Sequence, residues 1–211
     1  MLDMLRGTLD RAEVDHAARW FGHRVIELLE VDLVATGADR VPPGRAYVYM
    51  SNHQSHLDVP MLYATLPSPT IRMLAKKELF QIPIWGKGLR AAEFIEVDRA
   101  NHVRAIASID RAKELILDGV SVWLAAEGTR SFDGRIGPLK KGGFHLATET
   151  GTPIVPVSIR GTIDILKRGA RAMQKGKHVE VVIGEPIAVE GRSMDDLMAE
   201  VRAFLVENVE K

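Results

Sequence analysis

A histidine and an aspartate five positions apart are the first residues in this sequence with an evident chemical use. His53 and Asp58 lie in residues 52–58, which follow an apolar run and lead into a pattern of helical period. In a turn that enters a helix, the carboxylate of Asp58 can fold back against the imidazole of His53 and fix its tautomer. The second ring nitrogen then becomes a general base, because the pKa of histidine lies near neutral pH. The pair therefore indicates general-base catalysis.

Three other interpretations of the same segment stay open. Asn52, Ser55 and Asp58 could cap the helix that follows them. His53, His56 and Asp58 could bind the metal of a metal-dependent hydrolase, although their spacing matches no strong metal motif. His53 could also activate a serine nucleophile, although the chain contains no Gly-x-Ser-x-Gly sequence.

A second polar group, residues 127–131 (Glu-Gly-Thr-Arg-Ser), follows another apolar run. The guanidinium of Arg130 is a planar donor that suits a phosphate or a carboxylate. Glu127 can orient that guanidinium or accept a hydrogen bond from a substrate hydroxyl. Thr129 provides a hydroxyl, and Gly128 lets the backbone approach a ligand closely. The group indicates an anionic substrate, and the alternative is a polar loop in which Glu127 pairs with Arg130.

The elements that must position these groups alternate along the chain. The predicted strands, which are short and rich in β-branched residues, are residues 31–36, 46–50, 71–75, 94–97, 120–125, 154–159 and 179–183. The predicted helices are residues 12–30, 57–65, 101–117, 143–150 and 194–208. This alternation predicts a single α/β domain with a mixed, mostly parallel sheet flanked by helices. Both polar groups follow strands, and sites in such sheets form at the carboxyl ends of strands.

The first helix is amphipathic. Its apolar residues recur at steps of three and four, and they are Val14, Ala17, Phe21, Val25 and Leu28. A helix of this kind packs on its own domain or lies in a membrane interface. We therefore expect residues 1–31 to form an N-terminal amphipathic helical segment and residues 32–211 to form the catalytic domain.

The composition of the 211-residue chain, with 46% apolar and 27% charged residues, is ordinary for one folded domain. The absence of cysteine excludes disulfides, thiolate metal sites and a cysteine nucleophile. The net charge is zero, yet residues 72–90 carry five basic residues against one acidic residue, and residues 160–177 carry six against one. Such segments attract phosphates or an anionic membrane. No apolar run is long enough to cross a bilayer, and no signal peptide is recognisable.

Four segments together resemble the motifs of the glycerolipid acyltransferase family, which includes 1-acylglycerol-3-phosphate acyltransferases. The motifs are residues 52–58, 95–99, 127–131 and 154–157, in the family's order. The resemblance runs from about Tyr47 to about Gly161, and it implies the fold of a glycerol-3-phosphate acyltransferase. Two departures lie within it: Ala125 and Ala126 stand where the family usually has Phe-Pro, and Glu96 stands at a commonly apolar position. No hydrophobic hairpin precedes the first motif.

The resemblance also implies an activity and its residues. A fatty acyl group would move from acyl-CoA or acyl carrier protein to the free hydroxyl of 1-acylglycerol-3-phosphate and give phosphatidic acid. His53 and Asp58 would be catalytic, with no metal and no cofactor. The substrate-binding residues would be Lys76, Arg99, Glu127, Gly128, Thr129 and Arg130. We expect a lysophospholipid acceptor, no nucleic acid, and peripheral contact with the cytoplasmic face of a membrane. The alternatives are another lysolipid acceptor, such as a lyso-ornithine lipid, and a non-catalytic module that binds anionic lipid.

Overall fold

The computed structural model describes residues 10–98, 102–170 and 172–210. The predicted substrate-binding residue Arg99 lies outside this part of the chain, as do Asn101, the predicted start of a helix, and Arg171 in the second basic segment. The predicted N-terminal segment is described from residue 10 onward.

Strands and helices alternate along the described residues as the sequence predicts. The strands are β1 (Asp32–Thr36), β2 (Val48–Ser51), β3 (Ile71–Lys76), β4 (Ile95–Val97), β5 (Ser121–Ala125), β6 (Ile154–Arg160) and β7 (His178–Ile183). The helices are α1 (Arg11–Leu28), α2 (Asp58–Thr65), α3 (Lys77–Phe80), α4 (Trp85–Ala91), α5 (His102–Leu117), α6 (Lys141–Thr150), α7 (Thr162–Ile165) and α8 (Met194–Val209). All the predicted elements are present, with ends that differ by no more than two residues, whereas α3, α4 and α7 were not predicted.

The strands form one seven-stranded sheet in the order β1-β7-β6-β2-β5-β3-β4. Every neighbouring pair is parallel except β6 and β7, which are antiparallel. The prediction of a mixed, mostly parallel sheet is therefore confirmed. Because β2, β5 and β3 are parallel neighbours, their carboxyl ends lie at one edge of the sheet, with Ser51 beside Ala125 and Met73 beside Trp123.

Apolar side chains bury both faces of the central strands. On one face the core includes Met50, Leu124 and Phe144, and it lies beneath α5, α6 and α8. On the other face Tyr49 and Met61 belong to a second core, beneath α1 and α2. Strands enclosed on both sides read as continuous apolar runs, which is why the sequence identified them.

Helix α1 is attached to the rest of the molecule by close packing and by charge. Gly22 lies against the backbone of α2, where a Cβ atom would come within 2.6 Å of the carbonyl oxygen of Pro60. Asp15 accepts hydrogen bonds from the hydroxyl of Thr70, at 2.6 Å, and from the guanidinium of Arg72. Arg72 is completely buried, so this ion pair is shielded from water.

No helix in residues 10–98, 102–170 and 172–210 combines the length and apolarity that crossing a membrane requires.

Candidate active site

The candidate site lies where the loops after β2 and β5 meet. Ser51 and Ala125, the last residues of these strands, are paired in the sheet. His53 and Glu127 each follow two residues later, so the topology places the first and third motifs side by side.

The predicted contact between His53 and Asp58 is present. The Nδ1 atom of His53 lies 2.7 Å from Oδ2 of Asp58. The same oxygen accepts hydrogen bonds from the backbone N–H groups of Gln54, at 2.7 Å, and Ser55, at 3.1 Å. These bonds fold residues 54–58 into a turn, and α2 begins at Asp58 itself. The carboxylate of Asp58 has no solvent exposure, and its catalytic role stays a prediction.

The contacts of Asp58 fix the tautomer of His53. A carboxylate that accepts from two amide N–H groups presents only acceptor lone pairs to the ring, so Nδ1 carries the proton. In the neutral imidazole, Nε2 is then the unprotonated nitrogen. The ring packs edge-on against Trp123, with centroids 6.0 Å apart and planes at 82°. Among the described residues no hydrogen bond engages Nε2, which leaves it free to act as a base.

Thr162, which sequence reasoning missed, completes the surroundings of Asp58. Its hydroxyl donates a short hydrogen bond to Oδ1, across 104 positions of sequence. Thr162 is fully buried and begins α7 directly after Gly161, whose φ of 96° belongs to the left-handed region. The one signal in the sequence was a Gly-Thr pair at the carboxyl end of a predicted strand, where an α/β sheet holds its ligands.

Asn52 fixes the strand end that precedes His53. Its side-chain amide donates to the carbonyl of Ile159 and accepts from the N–H of the same residue, both at 2.8 Å. This pair of bonds ties the end of β2 to β6. The alternative in which Asn52 caps α2 is therefore wrong, because its side-chain amide bonds to β6 instead.

Glu127 holds the backbone of the site rather than the guanidinium of Arg130. Its carboxylate accepts from the N–H of Gly137 at 2.6 Å and from the N–H of His53 at 3.3 Å. Burial raises the pKa of Glu127, although both hydrogen bonds act in the opposite direction. The carbonyl of His53 accepts in turn from the N–H of Ser131, at 2.7 Å. Residues of the third motif thus bond to both the backbone N–H and the backbone carbonyl of His53.

Two guanidinium groups make the mouth of the site positive. Arg168 donates to the backbone carbonyl of Arg130 at 3.2 Å. The pKa of Arg130 is lowered by burial and by the charge of Arg168. Burial and the charge of Arg130 also lower the pKa of His56. Like charges held close together favour an anion between them. Sequence reasoning placed Arg168 in a basic segment but not at this site.

Of the remaining predicted residues, Gly128 and Thr129 lie in the loop of the site, whereas Lys76 has no described contact with it. Gly128 makes a turn at a φ of 70°, and Thr129 and Glu127 line an open cavity of about 440 Å³. Lys76 is exposed at the end of β3 and forms an ion pair of 3.1 Å with Glu78. No described contact brings Lys76 to His53 or Arg130.

The described residues contain no group of three or more His, Asp or Glu side chains that could hold a metal ion. The predicted alternative of a site made by His53, His56 and Asp58 therefore lacks the geometry that it needs.

Comparisons with known proteins show the family and the fold of the chain. The family described as Acyltransferase matches residues 32–160. The chloroplastic 1-acyl-sn-glycerol-3-phosphate acyltransferase of Brassica napus is 35% identical over 77% of this chain and 46% of its own length. The 1-acyl-sn-glycerol-3-phosphate acyltransferase alpha of Homo sapiens is 35% identical over 77% of this chain and 57% of its own length. The chain thus spans about half the length of these curated relatives.

A solved structure is similar over nearly the whole chain. The crystal structure of the 1-acyl-sn-glycerophosphate (LPA) acyltransferase from Thermotoga maritima is 30% identical, with a TM-score of 0.85. The match covers 99% of this chain and 86% of that one. The fold, the order of the motifs and the family match lead to one conclusion: this chain belongs to the acyltransferase family.

Proposed function

We propose that the protein transfers a fatty acyl group from a thioester donor, acyl-CoA or acyl carrier protein, to the free hydroxyl of 1-acylglycerol-3-phosphate, giving phosphatidic acid. The observation that carries this proposal is the contact between His53 and the buried Asp58, with 2.7 Å between Nδ1 and Oδ2. The relatives described above, which are acyltransferases of this acceptor, support it.

In the proposed reaction His53 is the general base. The acceptor hydroxyl attacks the thioester carbonyl while Nε2 of His53 removes its proton. Asp58 stabilises the imidazolium that forms, because its carboxylate already accepts from Nδ1. A C–O bond forms and the C–S bond breaks, and the proton on Nε2 then passes to the departing thiolate. The acceptor oxygen is the nucleophile, so the reaction needs no acyl-enzyme, no metal and no cofactor.

The basic residues bind the phosphate of the acceptor in this proposal. Arg130 and Arg168 supply adjacent positive charge at the mouth of the site. Arg99 is assigned the same role from the second motif, and Lys76 from the resemblance of the segment that connects the first and second motifs. Glu127 acts on the site through the backbone of His53. A bound hydroxyl that is correctly oriented gains several kcal/mol over a free one, which is why a phosphate clamp assists the chemistry.

The place of action follows from the substrates. A lipid acceptor places the reaction at a membrane surface, and an intracellular acyl thioester places it on the cytoplasmic face.

An assay of thiol release tests the proposal. The protein is incubated with palmitoyl-CoA and 1-acylglycerol-3-phosphate, and free thiol is measured together with the phosphatidic acid formed. His53→Ala is expected to lower kcat by roughly 10²-fold or more, because the general base is lost. The matched control is His145→Ala, which removes an exposed histidine on α6 and is expected to leave kcat unchanged.

Three outcomes would contradict the proposal. A folded His53→Ala protein with normal kcat would remove the pair from the mechanism. Faster transfer to a lyso-ornithine lipid than to the phosphate-bearing acceptor would assign a different acceptor. Vesicle binding without any thiol release would indicate a module that binds lipid without catalysis. Chelator is expected to leave the rate unchanged.

A further inference from the structure

Exposed apolar side chains gather on two parts of the described surface: the segment that follows β3, and helix α1, where Trp20, Phe21 and Leu28 are exposed. Leu79, Ile82, Ile84 and Trp85 are 39%, 46%, 63% and 56% exposed. These four residues, which we name the apolar tip, lie within seven consecutive positions that run from the second half of α3 to the first residue of α4. Large apolar side chains gathered in this way on a protein surface mark a site of contact with another apolar phase.

The backbone of this segment holds the apolar tip in an outward position. Phe80 is the inward anchor and is buried. Gly86 packs so closely on it that a Cβ atom at position 86 would lie 2.0 Å from the carbonyl oxygen of Phe80. Arg90 donates to that carbonyl at 3.0 Å and lies 5.3 Å from the centre of the phenyl ring. The outward side chains are therefore presented by a fixed turn.

Ile84 adopts a backbone conformation that its side chain disfavours. Its φ is 67°, in the left-handed region where a β-branched residue is rare. This is also the most exposed residue of the apolar tip. Strained backbone of this kind clusters at functional sites, so the conformation of Ile84 supports a functional role for the apolar tip.

The charge around the apolar tip identifies its partner. Residues 76–90 contain four basic residues and one acidic residue. Lys87 is exposed on this segment, and so are Lys76 and Arg90, which pair with Glu78 and Glu96. Apolar side chains, a tryptophan and surrounding cations are together the chemistry of a bilayer surface that carries anionic headgroups.

The topology places the apolar tip at the edge of the sheet that holds the candidate active site. Strand β3 leads into α3, and β5, its parallel neighbour, leads into the loop of Glu127. The loop of His53 follows β2 at the same edge. A membrane that contacts the apolar tip therefore also faces the loops of the site.

Helix α1, the other candidate for membrane contact, lacks this charge. Its Arg19 donates to the backbone carbonyls of Leu66 and Ser68. Arg11 is paired with Glu93, and Arg24 with Glu27. The three arginines of α1 are matched in number by Glu13, Asp15 and Glu27, so α1 has no excess of positive charge.

We propose that the apolar tip inserts into the headgroup region of an anionic bilayer and holds the active site against the lipid surface. The purpose of this docking rests on the proposed function, since a lipid acceptor must be drawn from that surface. The docking itself is measured without catalysis.

Vesicle binding by the full chain is the first test. Ile82→Ser, Ile84→Asn and Trp85→Ser are combined, and sedimentation with phosphatidylglycerol–phosphatidylcholine vesicles is compared with the parent protein. The combined variant is expected to need at least about ten times more lipid for half-maximal binding, because three apolar side chains lose their burial. The control is Leu117→Ser, which removes an apolar residue that is 77% exposed at the end of α5, toward the opposite edge of the sheet.

Several results would overturn the proposal. The first is equal vesicle binding by the combined variant and the parent. The second is loss of binding in Trp20→Ser on α1 instead of in the combined variant. The third is binding of the parent to pure phosphatidylcholine vesicles as strong as its binding to the anionic vesicles. A combined variant that changes only the self-association of the protein would assign the apolar tip to a second copy of the chain.

A fluorescent probe supplies a second measurement, because the chain contains no cysteine. A polarity-sensitive dye on Ile84→Cys is expected to shift to the blue on addition of anionic vesicles, while the same dye on Leu117→Cys does not shift. A shift at position 117 with none at position 84 would contradict the inference.

Two acceptors separate this inference from the proposed function. The combined variant is expected to keep the parent's rate on a short-chain lysophosphatidic acid that dissolves as monomers, and to lose rate only when the acceptor is embedded in vesicles. Equal losses on both acceptors would contradict docking. If the parent transfers no acyl group, the proposed function fails while the vesicle and dye measurements still decide the docking.

Discussion

Four donors converge on the carboxylate of Asp58, and one of them arrives from a distant part of the chain. His53, Gln54 and Ser55 bind Oδ2, while the hydroxyl of Thr162 binds Oδ1. Three of these contacts are local and one crosses the sheet. The orientation of the carboxylate therefore depends on both halves of the molecule.

Thr162→Val tests that dependence with little change in side-chain volume. We expect kcat to fall roughly tenfold with KM unchanged, because loss of one hydrogen bond to a charged group is worth about 1.5–3 kcal/mol and part of it supports the orientation of His53. Thr162→Ser keeps the hydroxyl and is expected to restore kcat. Steady-state kinetics on the three proteins check this, and equal losses in the serine and valine variants would contradict it.

Glu127 makes stability depend on pH in a predictable direction. Burial raises its pKa above the ordinary value. The folded state therefore binds a proton more readily than the unfolded chain. The stabilisation of the folded state by this proton is fully present below about pH 4.3. It is lost as the pH rises through the raised pKa, so the free energy of unfolding falls in that interval.

Glu127→Gln removes this titration. We expect the difference in free energy of unfolding between variant and parent to shift in favour of the variant as the pH rises from about pH 4 to about pH 7. Urea denaturation at a series of pH values measures it. A difference that stays constant, or that shifts toward the parent, would show that Glu127 is not held with a raised pKa.

At the scale of elements, most of the strands and helices could be predicted from the sequence. Buried strands such as β2 and β6 appear as apolar, β-branched runs, and their positions were predicted within two residues. Helices α3 and α7 have four residues each, and α4 has seven, which is too short for a pattern of helical period to appear.

The candidate site was predictable only where its contacts are local. The pair of His53 and Asp58 spans five positions and follows from residue types and a turn. The contacts of Thr162 and Arg168 depend on which strands are neighbours, and no local pattern encodes that β6 lies beside β2. Contacts that depend on the tertiary arrangement of the strands could therefore not be predicted from the sequence.

The turn between β6 and α7 holds Thr162 in place, and Gly161 is what permits it. A Cβ atom at position 161 would lie 2.2 Å from the carbonyl oxygen of His178. Gly161→Ala must therefore displace the turn as well as accept an unfavourable φ. We expect it to cost more than the roughly 1 kcal/mol typical of the left-handed region alone.

Gly191→Ala is the matched control, since Gly191 also has a positive φ but nothing within 4 Å of the position of its Cβ atom. Thermal and urea unfolding of both variants measure the difference. Equal destabilisation would show that the close approach to His178 carries no energy.

At the scale of the whole molecule, a buried cation joins helix α1 to the sheet. Arg72 on β3 pairs with Asp15 on α1 and lies 3.8 Å from Glu93. Arg72→Leu leaves these acidic groups without their buried partner, so we expect a loss of about 3–5 kcal/mol in the free energy of unfolding.

The control is Arg192→Leu, because Arg192 pairs with Glu200 at the surface, where the two side chains are 36% and 47% exposed. An exposed pair contributes no more than about 1 kcal/mol. Urea denaturation compares the two variants. A similar, small cost in both would mean that Arg72 contributes little to holding α1.

The strand order also has a consequence for how the protein is made. Strand β2 is paired with β5 and β6, and β1 is paired with β7, across 146 positions from Asp32 to His178. A ribosome that has released only the first hundred residues has therefore delivered strands without their partners. Such distant pairings are slow to form, so the surroundings of Asp58 can be completed only after the chain through Thr162 has been synthesised.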